Sequence, residues 1–464
     1  MFSSRSRRLA EIGTPLPPAH TDVIMRRAVV LGASVAGLLA ARVLSDHADE
    51  VIIIERDETD GTLPRRGVPQ GTQVHAVLKA GEVQLVRWFP GFLDDAAAMG
   101  MLLPSPDTPI SITINGVELP ATPMRPTVLA TRPYLESLVR TRTLAVDNIR
   151  LVTGRAAGLE FDGDRVTGVR YVPQNGADEV TERADFVVDA MGRSSRLADW
   201  LAGSGWQRPE MVRMPIKLNY ATCLFEQDER VSDVVMAVAR REIGGLPRGA
   251  VVNRVEGKRW IMMLSGYDRD FPGRTVEEFA AFCRRDFPPV FGDIAERALP
   301  VGDVISYRQA DSRRREFHAL ERFPAGLAAA GDTVASFNPV YGQGMTSATL
   351  HASCLSSYLR SGPDLDRPAK EYFDLVRVVV DAAWQTSTFA DLELPHVDGP
   401  YPRGYRLAKQ MGGLLFKASM SDRAVRDQLS HVQGLLAHPD SLSRPGMLMR
   451  VLWRSLVPAT MLSP

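Results

Sequence analysis

Two short, unbroken apolar runs stand near the start of the chain, "AVVL" from Ala28 and "VIII" from Val51 at the head of "VIIIERD", with the helix-like stretch "LLAARVL" between them. Runs of this length, bounded by turn residues, read as strands buried on both faces, so a strand, a helix to about Ser45 and a second strand are predicted as one βαβ unit. Beyond residue 65 the pattern loosens and then changes period. "ISITINGVELP" alternates around Asn115-Gly116 and "LEFDGDRVTGVRYV" around Asp162-Gly163, which predicts two hairpins with primed turns. "ADFVVDAMGRSSR" reads as a buried strand ending in a loop.

From about 216 to 310 come the short strands "KLNYATCLF", "GAVVNRV" and "RWIMMLSGY", followed by one helix, "TVEEFAAFCRRDF". A mostly antiparallel sheet is expected there. Trp260, Met262 and Met263 sit in its last strand, where one face lines either core or a cavity, core being favoured. "GLAAAGD" is strand-like again, and "SATLHASCLSSYLR" and most of the rest to 464 read as helices. The segment "PGMLMRVLWRSLVP" is apolar but broken by Arg450 and Arg454, and packing against the first domain is favoured over rest on a membrane surface.

Composition narrows the class. The 464 residues suggest about three units of ~150 residues, or one large α/β enzyme. Lys and Arg balance Asp and Glu at 55 each, so charge implies no nucleic-acid partner. Cys223, Cys283 and Cys354 lie far apart, which indicates neither a disulfide framework nor a metal site and makes a reducing cytosol the simplest setting. Residues 1–25 are basic without a signal peptide's apolar stretch and read as a disordered arm, with Met25 a natural start. No run reaches the ~18 apolar residues of a membrane span.

"GASVAG", residues 32–37, occupies the strand-to-helix corner of the βαβ unit. Gly32 allows the sharp turn, Gly37 lets helix and strand pack closely, and the helix N-terminus around Ala36 offers free N–H groups to a pyrophosphate. Ser34 replaces the glycine that permits close backbone approach, but its small hydroxyl can itself donate to a phosphate. Glu55, followed by Arg56, lies 23 positions after Gly32, near the ~20 expected for an acid that binds a ribose hydroxyl. This loop does not separate FAD from NAD.

"GLAAAGDTVASFNPVYGQGMTSATLHA" ends a strand at Gly331 and Asp332, continues through Pro339, Gly342 and Gly344, and starts a helix near Met345. It resembles the flavin-contacting segment of FAD-dependent monooxygenases of the para-hydroxybenzoate hydroxylase type. The resemblance implies that Asp332 binds the ribityl chain and that the following helix N-terminus faces the flavin's pyrimidine edge. "PRRGVPQGTQVHAVL" is similar to that family's arginine-glycine-valine segment, which implies Arg65 near the FAD phosphates and Gly67 and Val68 beside the ring. "DAMGRSSR" resembles its aspartate-glycine segment, implying that Asp189, Gly192, Ser195 and Arg196 touch both FAD and NAD(P)H. "TRPYLESLVR" adds Arg132.

Within the family, "RRGVPQ", "FNPVYGQGM" and "VVDAAW" most resemble bacterial olefin epoxidases of polyether biosynthesis, with a departure at "TQVHA" where an Arg-His pair is commoner ahead of the second His. The implied fold class is α/β, a Rossmann-like FAD-binding domain of glutathione-reductase type with an inserted, mostly antiparallel β substrate domain and a helical C-terminal region. The implied domains are 26–205 with 320–365, then 206–319 and 366–464, with 76–124 open to either of the first two. The implied reaction uses NAD(P)H and O2 to form a flavin hydroperoxide that epoxidises an alkene of a lipophilic secondary metabolite, with or without a separate flavin reductase.

Alkene epoxidation needs no general base, in keeping with the absence of a Ser-His-Asp set or carboxylate pair. His75 is the one nearby candidate for a catalytic role, and a structural histidine is the commoner case. Pro339 and Tyr341 are expected to shape the oxygen side of the ring, against the reading that they merely end a strand. Arg313 to Arg315 read as a solvated face. An aromatic-ring hydroxylase is the main alternative. A flavin halogenase is disfavoured because "GKRWIMMLSGY" lacks the usual Trp-x-Trp-x-Ile-Pro, and an isoprenoid double-bond reductase or a non-catalytic FAD sensor stands further off.

Overall fold

The computed structural model describes residues 4–58, 61–65, 67–105, 107–120, 128–176 and 178–456. Its first layer is a sheet in the order β16 (Leu327–Ala329), β8 (Phe186–Asp189), β1 (Met25–Leu31), β2 (Ala48–Glu55), β5 (Ile149–Asp162), β6 (Arg165–Pro173) and β7 (Val180–Arg183). The five from β16 to β5 are parallel, and β5, β6 and β7 meander antiparallel. Between β1 and β2 runs α2 (Val35–Leu44), with every residue but Arg42 buried. It lies between the sheet and α9 (Gln343–Leu359), which is why it lacks a polar face. Against it pack α3 (Lys79–Trp88) and α5 (Arg132–Leu144), with α4 (Phe92–Ala98) resting on both of these; α6 (Leu197–Gly203) follows β8.

The second layer runs β14 (Ile305–Gln309), β10 (Leu218–Glu226), β13 (Arg259–Tyr267), β12 (Leu246–Val255), β11 (Met236–Ile243), β3 (Ile110–Ile114) and β4 (Val117–Glu118), antiparallel except where β3 joins β11. Helices α3 and α4 thus pack on the first layer while the β3–β4 hairpin joins the second. One face of the sheet buries Trp260, Met262, Cys223 and Phe225 under α7 (Val276–Asp286) and α8 (Pro289–Arg297). Its other face turns Leu218, Tyr220, Met263 and Tyr267 inward. The period-two reading is thus resolved residue by residue. Helix α8 escapes sequence reading because Pro288-Pro289 looks like a breaker, yet Pro289 is at N1, where its missing N–H costs nothing.

Asn115 and Gly116 both take positive φ, 49° and 81°, as a type I′ turn requires. The second hairpin pairs Asp162 with Arg165, so its turn is Gly163-Asp164, one residue later than the alternation predicts. A small sheet, β17 (Ala335–Ser336), β15 (Ser312–Arg315) and β9 (Met211–Met214), bridges the layers.

That bridge corrects the reading of Arg313 to Arg315 as a solvated face. Arg315 is 6 % exposed and donates to the Thr333 carbonyl at 2.6 Å, Arg314 pairs with Asp381 and Glu316, and Arg313 pairs with Asp311. Asp311 and Glu316, which flank the run, and Asp381 from α10 offset its charge and permit its burial. A second correction concerns the arm. Residues 1–3 lie outside the described residues, but α1 (Ser4–Ile12) is a helix that buries Leu9 and Ile12 against α9 and α10 (Lys370–Asp391).

The chain finishes in α11 (Tyr405–Ser421), α12 (Arg423–Gln433) and α13 (Pro445–Leu456). Helix α13 rests on α11 and α12, so the expected packing against the first domain is replaced by packing within the helical region. Arg450 and Arg454 explain the choice: both bind the buried Asp422 at the start of α12, at 3.2 and 3.0 Å. Among the described residues no helix is long and apolar enough to cross a membrane.

Candidate cofactor and substrate site

The site is built at the carboxyl ends of the parallel strands, where open α/β sheets place ligands. Strand β1 stops at Leu31 because Gly32 turns with φ 102°, and a Cβ there would lie 2.7 Å from the Ala190 carbonyl oxygen. On Gly37 a Cβ would lie 1.9 Å from the Gly32 oxygen, so helix and corner touch backbone to backbone. Ser34 is the N-cap of α2 and makes no capping bond, which leaves first-turn N–H groups beside Val35 and Ala36 open to the groove. At the far end Gly342, φ 68°, starts α9 with no side chain to cap it. Gly32, Ala36, Gly342, Gly344 and Met345 all line one cavity of about 550 Å³. Two uncapped helix N-termini therefore face the same elongated space, each presenting partial positive charge.

Along this space Glu55 closes β2, its carboxylate accepting the Ala33 and Asp57 N–H groups at 2.7 and 3.0 Å. Arg56 lines the cavity beside it. Arg65 is buried, bonded to Ser34 Oγ at 2.7 Å and paired with Glu55 at 3.2 Å and with Glu136 of α5. Burial opposes its charge, but Glu136 and Glu55 outweigh burial and hold the guanidinium above its ordinary range. Gly67 and Val68 follow on the wall, the Gly67 N–H fixed by Asp57 at 2.7 Å.

Arg132 opens α5 and reaches His75 Nε2 with Nη1 at 3.1 Å, while His75 Nδ1 meets the Gln73 carbonyl at 2.9 Å. An arginine only donates, so Nε2 accepts and Nδ1 carries the proton. His75 faces the cavity from deep in the molecule, and burial, then the Arg132 cation, pushes its pKa down to about 3. It is a neutral, doubly hydrogen-bonded ring and a poor candidate for moving protons. Gln73, in turn, accepts from the Thr222 hydroxyl at 2.5 Å and so ties this segment to the second layer.

Asp189 ends β8 wholly buried, behind the wall. It takes Met191 N at 2.8 Å, Ser195 Oγ at 2.5 Å and Thr333 Oγ1 at 3.1 Å, which joins the strand ends β8 and β16. Gly192 and Arg196 reach the cavity from the same loop. Gly331 turns with φ 62°, and a Cβ there would be 2.6 Å from the Ala36 Cβ, so only glycine lets this corner close on α2. Asp332 lines the cavity and has no hydrogen-bond partner among the described residues; burial raises its pKa against the pull of Arg193. Pro339 is on the wall. Tyr341 is turned away, its hydroxyl donating to Asp391 at 3.2 Å.

The second layer contributes Met263, on a strand whose alternation allowed a cavity face, and residues with no sequence signal of their own: Tyr220, Tyr307 and Gln309, with Phe337 from the turn. Arg155, Arg193 and Trp200 line the first-layer end and were likewise missed. The Tyr220 hydroxyl is buried without a partner among the described residues.

These groups fit FAD. The α2 N-terminus suits a pyrophosphate, the unpartnered Asp332 carboxylate suits ribityl hydroxyls, and the α9 N-terminus suits the ring edge that becomes negative on reduction. The comparisons agree. The FAD binding domain family model matches residues 25–361. Protein Rv3254 of Mycobacterium tuberculosis (strain ATCC 25618 / H37Rv) is 32% identical over 411 residues, 85% of this chain and 86% of that protein. Among solved structures, p-nitrophenol 4-monooxygenase PnpA from Pseudomonas putida DLL-E4 aligns with TM-score 0.64 at 17% identity, over 90% of this chain and 99% of that one. The flavin-dependent brominase Bmp2 aligns with TM-score 0.61 at 14% identity, over 93% and 99%. At such identities the two structures speak for the fold. With the family match lying over this groove, the chain belongs to the FAD binding domain family and has the architecture of FAD-dependent monooxygenases.

Proposed function

We propose that the protein is an FAD-dependent monooxygenase that takes electrons from NAD(P)H and transfers one atom of O2 to a carbon–carbon double bond of a lipophilic, polyene- or polyketide-like substrate. The observation that carries this reading is that the cofactor-side helix start at Gly342, Gly344 and Met345 shares one cavity with Tyr220, Met263 and Tyr307 of the second layer. Ring and substrate would meet there.

FAD, when bound, supplies the electron-accepting and oxygen-activating chemistry. The protein's part is to bind, orient and exclude water. Asp332, Arg132 and the two helix N-termini hold the cofactor along its length. Met263, Phe337, Pro339 and the two tyrosine rings offer a largely apolar wall to the substrate. Among the described residues no cavity-facing group on that side is poised to remove a proton: burial lifts both Tyr220 and Tyr307 above the usual phenol range, and His75, pushed down to about 3, is a weak base whose Nε2 already accepts from Arg132. That favours an alkene, which needs no deprotonation, over a phenol, which is activated by it. Three free, buried cysteines suit a reducing compartment.

The test is direct. Purified protein is expected to be yellow, to oxidise NAD(P)H faster with substrate, and to add one oxygen atom to a polyene by mass spectrometry. Oxidation of a phenol alone would replace epoxidation by ring hydroxylation. Product formation without O2 would replace both by double-bond reduction, and a bromide-dependent product would favour a halogenase. Activity that appears only with an added flavin reductase would assign the reduction step to a partner.

A further inference from the structure

We propose that Asp391, the last residue of α10, is a positioning residue that holds the cofactor-facing turn 338–344 from behind, which makes the helical C-terminal region a working part of the site. The inference rests on the flavin-site reading above. It goes beyond it because the family match ends at residue 361 and Asp391 lies thirty residues further on.

Asp391 is wholly buried. Its Oδ1 accepts from Asn338 Nδ2 at 2.7 Å and from the Tyr341 hydroxyl at 3.2 Å, donors that stand on either side of the cavity-lining Pro339. Asn338 is committed twice more, its Oδ1 accepting the Val340 N–H at 3.2 Å and its Nδ2 reaching the Tyr267 hydroxyl of β13 at 3.2 Å. Within the turn itself the backbone bonds are only Tyr341 N to Asn338 O at 3.3 Å and Gly342 N to Pro339 O at 2.9 Å. A Pro-Val-Tyr-Gly turn with so little of its own to hold it takes its position from the carboxylate behind it. The requirement is strict, because supporting residues must hold a catalytic or binding constellation within about 0.5 Å of its productive geometry.

A carboxylate buried only for packing is normally satisfied at both oxygens. Among the described residues Asp391 Oδ2 has no partner, and neither does the nearby Tyr220 hydroxyl. The groups that face Asp391 are Asn338 and Tyr341 of the turn, Tyr267 of β13, Tyr220 of β10 and, at longer range, the Arg240 cation of β11. His396, beside Tyr267, is engaged by the Ile216 carbonyl at 2.8 Å. Burial keeps all three phenols protonated and pushes Asp391 up to about 7, so Asp391 is the member of this set that changes charge near neutral pH.

The experiment uses the holoprotein with Asp391→Asn, which keeps an accepting oxygen but does not ionise, and Asp391→Leu, which removes it. FAD affinity is read by flavin fluorescence, and the visible flavin spectrum is followed from pH 6 to 8.5. The wild-type spectrum is expected to shift around pH 7 and the Asn variant's to stay flat, with FAD affinity within about threefold of wild type. The Leu variant should bind FAD about tenfold more weakly. A pH-dependent shift that survives in the Asn variant, or a Leu variant that binds FAD as wild type does with an unchanged spectrum, overturns the role of Asp391 and leaves the flavin reading intact. Should the Leu variant fail to fold, the Asn profile decides alone. Wild-type protein that binds no FAD overturns both.

Discussion

The Arg65 guanidinium donates to the Ser34 hydroxyl across 2.7 Å, so the side chain that stands in place of the loop's middle glycine is employed in fixing a buried cation at the mouth of the dinucleotide corner. Ser34→Gly restores the commoner loop and removes that acceptor. The expected result is a stability loss of about 0.5–1.5 kcal/mol and FAD binding weakened severalfold. Tighter FAD binding in the glycine variant would show that the serine is merely tolerated.

Arg65 also balances Glu55 and Glu136, with Asp57 at 3.8 Å. Arg65→Met leaves Glu55 without its paired cation and Glu136 with Arg132 and Arg140 alone, and removing one partner of such a buried set costs about 3–5 kcal/mol. Urea unfolding at neutral pH measures it. A loss under about 1 kcal/mol would mean that solvent reaches the cluster and screens it.

Gly37→Ala tests the corner. The new Cβ would stand 1.9 Å from the Gly32 oxygen, a backbone atom with no freedom to swing aside, so α2 must lift from β1. Loss of FAD and a destabilisation of about 3 kcal/mol are expected. Gly344→Ala, where no atom lies within 4 Å of the added carbon, is the control and should fold normally.

Asp332→Ala removes the unpartnered carboxylate from the cavity wall. A hydrogen bond to a charged group contributes about 1.5–3 kcal/mol, so FAD affinity should fall by roughly 10- to 100-fold with the circular dichroism unchanged. Equilibrium dialysis gives the number, and undiminished affinity would remove Asp332 from its role.

His75 and His351 both titrate near pH 3, depressed from 6.5 chiefly by burial. A folded-state value below the unfolded one means that stability is retained above pH 6.5 and lost as pH falls from there towards 3. Between pH 7.5 and pH 5 each ring should cost about 1–2 kcal/mol. His75→Gln should lose that much less than wild type over the same interval. Equal losses in the two proteins would show that His75 protonates in the fold as it does in water.

Much of the site was legible because it is made of backbone. A strand that must end, a helix that must start and an acid at the next strand's tip leave marks within a few residues, and Gly32, Gly37 and Glu55 were readable on those terms, whereas the roles of Asp332 and Gly342 came from the family resemblance. The second sheet was legible from its period of two, which placed Met263 and Trp260 on opposite faces before any partner was known.

What remained hidden depends on contacts between distant segments. Arg313 to Arg315 look solvent-bound until Asp381 of α10 and the Thr333 carbonyl are brought beside them, and α1 looks like a loose arm until α9 and α10 cover Leu9 and Ile12. Nothing in the hairpin at 110–118 states that it will lie parallel to a strand more than a hundred residues later.

By itself, then, the amino-acid sequence determined where the chain turns and which stretches are buried, because steric limits on φ and the burial of apolar side chains act over short range. Tertiary structure alone decided which charges are neutralised, that His75 is held neutral, that Tyr341 faces Asp391 and that two helix N-termini meet across one cavity. Those properties belong to pairs of groups, and their energies depend on distance and burial that exist only once the layers have closed.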